Sequence, residues 1–473
     1  MDKLTDKPVL VVGLGTSGEA ACDLLLNRGA RVTAVDSADN DALRQVATKL
    51  RARGAAAVLG AKSAPGGPFE FVVVSPGVPP NLPLMRELTA RKLPVIGELE
   101  LGYQHSRCLN IAITGTNGKT TTTELVERVL THAQRKTIAC GNIGTPLCAV
   151  VNRTHDLDFL TLEVSSFQLE TIQYFRPSVA VLLNITPDHL DRYASMDDYR
   201  RAKARVFENQ QAFDWAIVES GALAQLRALK IELPSKLVTF SATDPKADIH
   251  FDRGLLISRV EGWEGPLLDM ETCQLRGPHN AENLMAVLAV ARALRLPLEG
   301  VVEAVRSYTP ARHRCELVAE INGVKFVNDS KATNVDAAAK AIQAMPAGEA
   351  GTRNVWLIAG GKDKGLEYHE VGPLLAQRVK GAFLLGETRE KIRAAWGLFT
   401  PCTVVDSLLE AVAKSAEKAA VGDVVLLSPA CSSFDMFRNY QHRGEVFSEA
   451  VRGLARPAGG GARGGTPIGG AAS

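Results

Sequence analysis

Apolar residues in this chain fall mostly into short unbroken runs, and that spacing sets the fold class. "PVLVVG" (8–13), "RVTAVD" (31–36) and "EFVVVSPG" (70–77) are too short for helices and end in glycine, proline or aspartate. Such runs predict strands buried on both faces of a parallel sheet. Stretches of helical period stand between them, one beginning near Ser17, and "LPVIGELEL" (93–101) closes this first unit. A second series opens at "CLNIAITG" (108–115) and continues through "RKTIAC", "LDFLTLEV", "SVAVLLNI" and "FDWAIV". Residues 248–276 have no helical period and predict a β excursion, whereas "NAENLMAVLAVARAL" (280–294) carries one broad apolar face. Pro310 marks a boundary. The third series starts with "CELVAEINGVKFVND" (315–329), where Asn322-Gly323 between two apolar runs predicts a hairpin. "NVWLIAGG", "GAFLLGE" and "DVVLLSPA" then supply parallel strands. Strand and helix alternating with short connections predict an α/β chain in three doubly wound units, at 1–99, 100–309 and 310–455. The Gly/Ala-rich stretch 456–473 is too poor in apolar bulk for a core and is expected to be a disordered tail.

Composition narrows the function classes. A chain of 473 residues is too long for one core. A formal net charge of +2 argues against a general nucleic-acid binder, which should be strongly basic. None of the eight cysteines forms a CxxC pair, so no zinc site or disulfide framework is expected, and reduced thiols fit a cytoplasmic protein. The N-terminus lacks a signal-peptide layout, and no apolar run reaches the ~18 residues of a membrane span.

Two loops carry the chemistry. In "VVGLGTSGEA" (11–20), Gly13, Gly15 and Gly18 form G-x-G-x-x-G between a strand and a helix, and Asp36 ends the next strand. Glycine there lets the backbone turn sharply and a phosphate approach the helix N-terminus; the bland alternative is a tight turn that binds nothing. In "TGTNGKTT" (114–121), Gly115, Gly118, Lys119 and Thr120 again join a strand to a helix. Backbone N–H groups of such a loop can wrap a triphosphate, Lys119 can neutralise the β and γ oxygens, and a threonine hydroxyl can ligate Mg²⁺. The common G-x-x-x-x-G-K-[ST] pattern would place glycine at 113, where Ile113 stands, so this is a shorter variant. A dehydrogenase would leave the second loop idle and a plain ATPase the first. A ligase acting on a nucleotide-linked substrate uses both.

Longer motifs agree. "TGTNGKTT", "EVSSFQLE" (163–170), "TPDHLDRY" (186–193), "YRRAKARVF" (199–207), "GPHNAENLMAV" (277–287), "NDSKATN" (328–334) and "SPACSSFDMFRNYQHRGEVF" (428–447) resemble the Mur ligase family, and within it the branch that adds D-glutamate. The matches span residues 8 to 450, and the D-N-P-R motif of the diaminopimelate- or lysine-adding branch is missing. The resemblance implies three domains: a Rossmann-like N-terminal domain, a central P-loop ATPase-like domain and a Rossmann-like C-terminal domain. It implies a monomeric cytoplasmic enzyme of peptidoglycan synthesis, with no nucleic-acid or membrane partner. The implied reaction joins D-Glu to UDP-MurNAc-L-Ala through an acyl phosphate, at the expense of ATP and with two Mg²⁺ ions.

The resemblance also implies roles, residue by residue. Lys119, His189, Lys203 and Lys331 would be catalytic. Gly115, Thr116, Asn117, Gly118, Lys119, Thr120, Thr121, Asn280, Asn283, Arg314 and Asp329 would hold ATP, although helix capping also explains Asn280. Thr120, Glu163, His189 and Lys203 would hold metal, with Lys203 carbamylated by CO₂. That modification needs a neutral, partly buried amine. Gly13, Gly15, Thr16, Gly18, Asp36, Ser37, Ser75, Gly77 and Asn142 would bind the UDP-sugar. Thr333, Lys364, Ser433, Phe434 and Tyr440 would grip D-Glu, Tyr440 standing where the family carries phenylalanine.

Overall fold

The computed structural model describes residues 4–348 and 351–454, so the expected tail at 456–473 lies outside the described residues. The chain divides into two compact units, Met1–Pro310 and Ala311–Ser473.

The first unit contains two sheets. β1 (Pro8–Val12), β2 (Arg31–Val35), β3 (Ala56–Val58), β4 (Phe71–Val74) and β5 (Val95–Gly97) form a parallel sheet in the order β3-β2-β1-β4-β5. The chain steps outward from β1 to β3 and then returns to the far side of β1. The reversal between β1 and β4 opens a crevice at the strand ends, the usual ligand position in open α/β sheets. The second sheet comprises β6 (Leu109–Thr114), β7 (Thr137–Gly141), β8 (Phe159–Glu163), β9 (Val179–Leu182), β10 (Trp215–Glu219), β11 (Lys236–Ser241), β12 (Ile249–Asp252), β13 (Leu255–Ser258) and β14 (Gly265–Asp269). Its order is β14-β13-β12-β11-β10-β9-β6-β8-β7, antiparallel only where β13 meets β12 and β14. That antiparallel edge is the β excursion expected at 248–276.

Apolar runs in these strands feed cores on both faces. Ile111 and Ile113 face one layer, covered by the helices Lys119–His132 and Pro278–Ala293. Ala112 faces the other, covered by Met196–Ala204 and Ser220–Ala228. The helix Glu98–His105 joins the two sheets, with Leu99 in the core of the second and Leu101 in the core of the first. Its carboxylates are fasteners. Buried Glu100 accepts from the backbone N–H groups of Gln173 (2.9 Å), Tyr174 (3.0 Å) and Phe175 (3.0 Å). Glu98 accepts from Cys148 N at 2.6 Å, and burial pushes its carboxyl up to about 7.

The second unit has one sheet: β15 (Glu316–Ile321), β16 (Val324–Asn328), β17 (Val355–Ala359), β18 (Val379–Leu384), β19 (Cys402–Val404) and β20 (Val424–Leu427), in the order β15-β16-β20-β17-β18-β19. β15 and β16 form the expected hairpin. Asn322 (φ 52°) and Gly323 (φ 75°) take the left-handed conformations that a tight two-residue turn demands.

Some elements leave no readable pattern in the sequence, and one local alternative is overturned, each for an identifiable reason. β3 and β19 are three-residue strands too short to show a run, and β11, "KLVTFS", mixes polar and apolar residues. Asn280 does not cap its helix: Gly277 is the N-cap, Pro278 begins the helix, and the Asn280 amide instead donates to Arg276 O at 2.8 Å. All eight cysteines are free thiols.

Replacing Glu100 by alanine strands three inward-facing N–H groups. We expect a loss on the order of 2–4 kcal/mol in unfolding free energy, with Glu100→Gln losing less because one acceptor oxygen remains. Urea denaturation checks this, and equal midpoints for wild type and Glu100→Ala would contradict it.

Candidate active site

A cavity of about 820 Å³ lies in the first unit, at the ends of β1 and β4 and against the loop that follows β7. Its lining brings together Gly13, Gly15, Thr16, Asp36 and Ser37 from one side of the switch point. Ser75 and Gly77 come from the other, and Asn142 from the second sheet. Of the expected UDP-sugar residues only Gly18 does not line it. Gly18 packs: a Cβ there would run into the carbonyl of Gly13, so its glycine serves close helix–turn contact rather than the ligand. Gly13 (φ 87°) closes the turn, and Ser75 Oγ donates to its carbonyl at 2.8 Å. Asp36 braces the same turn, accepting from Leu14 N at 2.7 Å and Ala38 N at 2.9 Å.

The second loop is preformed. Gly118 (φ 85°) caps the helix Lys119–His132 without any side-chain cap, leaving that N-terminus for another acceptor. Asn184, just beyond β9, clasps Asn117: its Oδ1 accepts from Asn117 N (2.8 Å) and its Nδ2 donates to Asn117 O (3.1 Å). Thr116 Oγ1 exchanges hydrogen bonds with the Thr186 backbone and lies 3.2 Å from Tyr199 OH. Lys119 Nζ donates to Gly115 O and Thr116 O, both at 2.9 Å. Asn283 abuts the loop, accepting from Thr122 Oγ1 at 3.3 Å and donating to Asn280 Oδ1 at 3.2 Å. Thr120 and Thr121 occupy the first turn of the helix.

Lys203 reaches the same loop from the helix Met196–Ala204. It is 1% exposed, and its Nζ donates to Gly115 O at 2.8 Å. Burial, reinforced by the nearby Lys119 charge, holds its ammonium well below the ordinary lysine range, while Asp188 pulls the other way. Tyr199, four residues earlier, lies beneath it, with the ammonium 4.6 Å from the ring centroid.

Glu163 ends β8, paired in register with Ile113 at the root of the loop. Its Oε1 accepts from Asn142 Nδ2 at 2.7 Å, while its Oε2 is buried with no hydrogen-bond partner. An orphaned carboxylate oxygen at the strand end next to the root of this loop suits a hard divalent cation that keeps water and phosphate oxygens as its other ligands. Among the described residues no group of three or more His, Cys, Asp or Glu could hold a metal unaided. His189 sits at φ 57°, its N–H bonded to Asp188 Oδ1 (2.9 Å) and its ring 4.7 Å from Phe167.

Sequence reasoning assigned no role to Asn184, Tyr199 or Asp188. The i,i+4 spacing of Tyr199 and Lys203 on one helix was the available signal for Tyr199; an asparagine after a strand offers none.

In the second unit, Asp329 at the end of β16 is buried. It accepts from Ser428 Oγ (2.9 Å) and Cys315 N (3.2 Å), and Arg314 acts on its charge. Lys331 rests 4.0 Å from the Tyr440 ring centroid, so the aromatic face present in both tyrosine and phenylalanine makes this contact. Arg443, 2% exposed, donates to Ser330 Oγ and O and to the carbonyls of Cys431 and Ser432. This fixes the chain just before Lys331 and just before Ser433. Ser433 is buried, Thr333 and Lys364 are half-buried, and Phe434 is 67% exposed.

Three family descriptions match the chain: Mur ligase MurD-like N-terminal domain over residues 7–97, Mur ligase middle domain over 113–291, and Mur ligase glutamate ligase domain over 313–431. The UDP-N-acetylmuramoylalanine--D-glutamate ligase of Acidobacterium capsulatum is 42% identical over 457 residues, covering 95% of this chain and 97% of that relative. The enzyme of the same name from Koribacter versatilis is 40% identical over 453 residues, covering 95% and 98%. A solved UDP-N-acetylmuramate-alanine ligase from Thermotoga maritima shares the fold, with a TM-score of 0.60 at 18% identity over 95% of this chain and 99% of that one.

Asp329 yields a pH test. Burial, its largest influence, raises the carboxyl from 3.8 to about 7. A group held above its unfolded value favours folding when protonated, so its stability contribution is full below pH 3.8 and is lost as pH rises through about 7. Asp329→Asn should flatten the fall in urea midpoint between about pH 4 and pH 7. Parallel midpoint-against-pH curves for the two proteins would count against this.

Proposed function

The chain belongs to the Mur ligase family, and from that premise we propose that it is the ATP-dependent ligase that joins D-glutamate to UDP-N-acetylmuramoyl-L-alanine in peptidoglycan precursor synthesis. The supporting observation is the Asn142–Glu163 hydrogen bond, 2.7 Å long. Asn142 lines the cavity of the first glycine-rich turn, and Glu163 flanks the root of the second. A nucleotide-sugar bound at the first turn can thereby extend its far end toward a triphosphate bound at the second.

The roles follow from that arrangement. The alanyl carboxylate is a poor acyl donor; transfer of the γ-phosphoryl group from ATP makes an acyl phosphate and releases ADP. The amine of D-Glu attacks the acyl carbon, loses a proton, and the tetrahedral adduct expels phosphate. Catalysis of this kind is mainly positioning and neutralisation of mutually repelling anions. Lys119 leaves the Gly115 and Thr116 carbonyls for the β and γ oxygens, and the backbone of Gly115–Thr121 wraps the phosphates. Asn280 and Asn283 hold adenine. Thr120, Glu163, His189 and Lys203 would hold Mg²⁺, two ions in all, which supplies charge neutralisation.

Lys203 suits carbamylation. A neutral amine adds to CO₂ through a new N–C bond and releases one proton, converting a potential cation into an anion. Burial and the neighbouring Lys119 already disfavour its protonated form. In the second unit Arg314, Asp329 and Lys331 serve ATP and the moving phosphate, and Thr333, Lys364, Ser433, Phe434 and Tyr440 serve D-Glu. The work is divided among residues 1–99, 100–309 and 310–455. The protein is proposed to work in the cytoplasm as a monomer; separately, no helix among the described residues is long and apolar enough to cross a membrane.

Mass spectrometry of a reaction containing UDP-MurNAc-L-Ala, ATP, Mg²⁺ and a panel of amino acids should give one new product, the D-Glu adduct. A product with another amino acid, or none, refutes the assignment. Lys119→Ala should lower kcat by about 10²–10³ or more. Carbon-13 bicarbonate should label wild-type protein with a carbamate signal that Lys203→Arg lacks; a signal surviving in Lys203→Arg would remove the carbamate from this site.

A further inference from the structure

The lining of the 820 Å³ cavity includes two charged side chains, Asp36 and Lys62. Asp36 already serves the Leu14 and Ala38 N–H groups. Lys62 makes no hydrogen bond or ion pair among the described residues and is exposed. Its backbone is nevertheless fixed, because Gly60 N donates to Ala38 O (3.2 Å) and Ala61 N to Asp36 O (2.9 Å). The lysine is thus rooted at the cavity rim while its ammonium stays available.

We propose that Lys62 supplies the cationic charge that a diphosphate needs in this cavity. This rests on reading the cavity as the nucleotide-sugar site. A diphosphate linking two sugars carries about two negative charges, and the Asp36 carboxylate adds a third. The helix N-terminus at Thr16 offers roughly half a positive charge, and the hydroxyls of Thr16, Ser17, Ser37 and Ser75 add donors but no charge. Lys62 is the lining residue that reduces the imbalance. Because its ammonium is exposed, the attraction acts at high dielectric; it is modest and screened by salt.

Isothermal titration of the full chain with UDP and with uridine, at low and high salt, tests this. Lys62→Gln should weaken UDP binding about five-fold at low salt, the size expected of one exposed charge pair. The gap should close at high salt, Lys62→Arg should bind as wild type, and uridine should bind all three proteins alike. The KM for UDP-MurNAc-L-Ala should rise in Lys62→Gln while those for ATP and D-Glu stay fixed. Unchanged UDP affinity in Lys62→Gln, or an equal loss for uridine and UDP, would overturn the role of Lys62. Wild-type protein that binds no UDP would instead overturn the cavity assignment, and the role of Lys62 with it.

Discussion

Two lysine nitrogens converge on one carbonyl oxygen. Gly115 O accepts from Lys119 Nζ at 2.9 Å and from Lys203 Nζ at 2.8 Å, and Lys203 is almost wholly buried. Two full ammonium charges on one carbonyl repel each other, and burial penalises that of Lys203, a cost that the nearby Asp188 offsets only in part. The cost falls if one nitrogen gives up its proton, or if anionic charge arrives. The proposed carbamate would replace the buried ammonium with an anion, and a triphosphate bound at the loop would bring anionic charge to Lys119. The loop is held in this arrangement by side chains outside it: Asn184 clasps Asn117, and Thr116 is tied to Thr186 and Tyr199. Preorganisation of this kind lowers the reorganisation that charge transfer would otherwise require.

The geometry between the two glycine-rich turns is set by polar fasteners rather than by the turns. Glu100 holds three successive N–H groups of the second sheet's loop, and Glu98 holds Cys148 N. Arg192 meets both oxygens of Glu170, donates to Pro76 O at 3.3 Å, and stacks 4.1 Å over Phe167. Pro76 is the neighbour of Ser75 and Gly77 in the cavity wall. One guanidinium thus connects the loop bearing His189 to the floor of the other cradle. Planar, many-donor recognition explains why arginine rather than lysine fits there.

Much of this was legible in the sequence, for a physical reason. Parallel strands buried on both faces must be apolar throughout, so β1, β2, β4 and most strands of the second sheet announce themselves as runs. Glycines forced by left-handed backbone, such as Gly13, Gly118 and Gly323, mark turns directly. Short strands such as β3 and β19 left no pattern, and the helix Glu98–His105 hid within a stretch that reads as the end of a unit. The site was legible where a motif is local. It was opaque where partners meet across the chain: Asn184 with Asn117, Asn142 with Glu163, Arg192 with Pro76. Burial of Lys203 was opaque too, since a lysine on a helix is usually solvated, and only resemblance singled it out.

Shifted ionisation alone does not separate working groups from structural ones. Burial moves Lys203 down and Glu98 and Asp329 up, so all three are driven toward their neutral forms. An orphaned oxygen does not separate them either, because Oε2 of Glu98 and Oε2 of Glu163 are both buried without a partner. Position decides. Glu98 lies at the joint between the two sheets and holds a backbone amide. Glu163 stands at a strand end beside the phosphate loop, with one oxygen engaged by a cavity-lining asparagine and the other unspent. An unspent oxygen costs free energy in the empty protein, and a cation with its bound phosphate can recover that cost on binding. The same orphan at Glu98 has no comparable ligand loop beside it, and burial pushes that carboxyl up to about 7, toward its neutral form. What sets apart the carboxylate proposed to hold a cation is therefore the conjunction of an unspent lone pair with a neighbouring glycine-rich loop, a condition neither burial nor titration expresses separately.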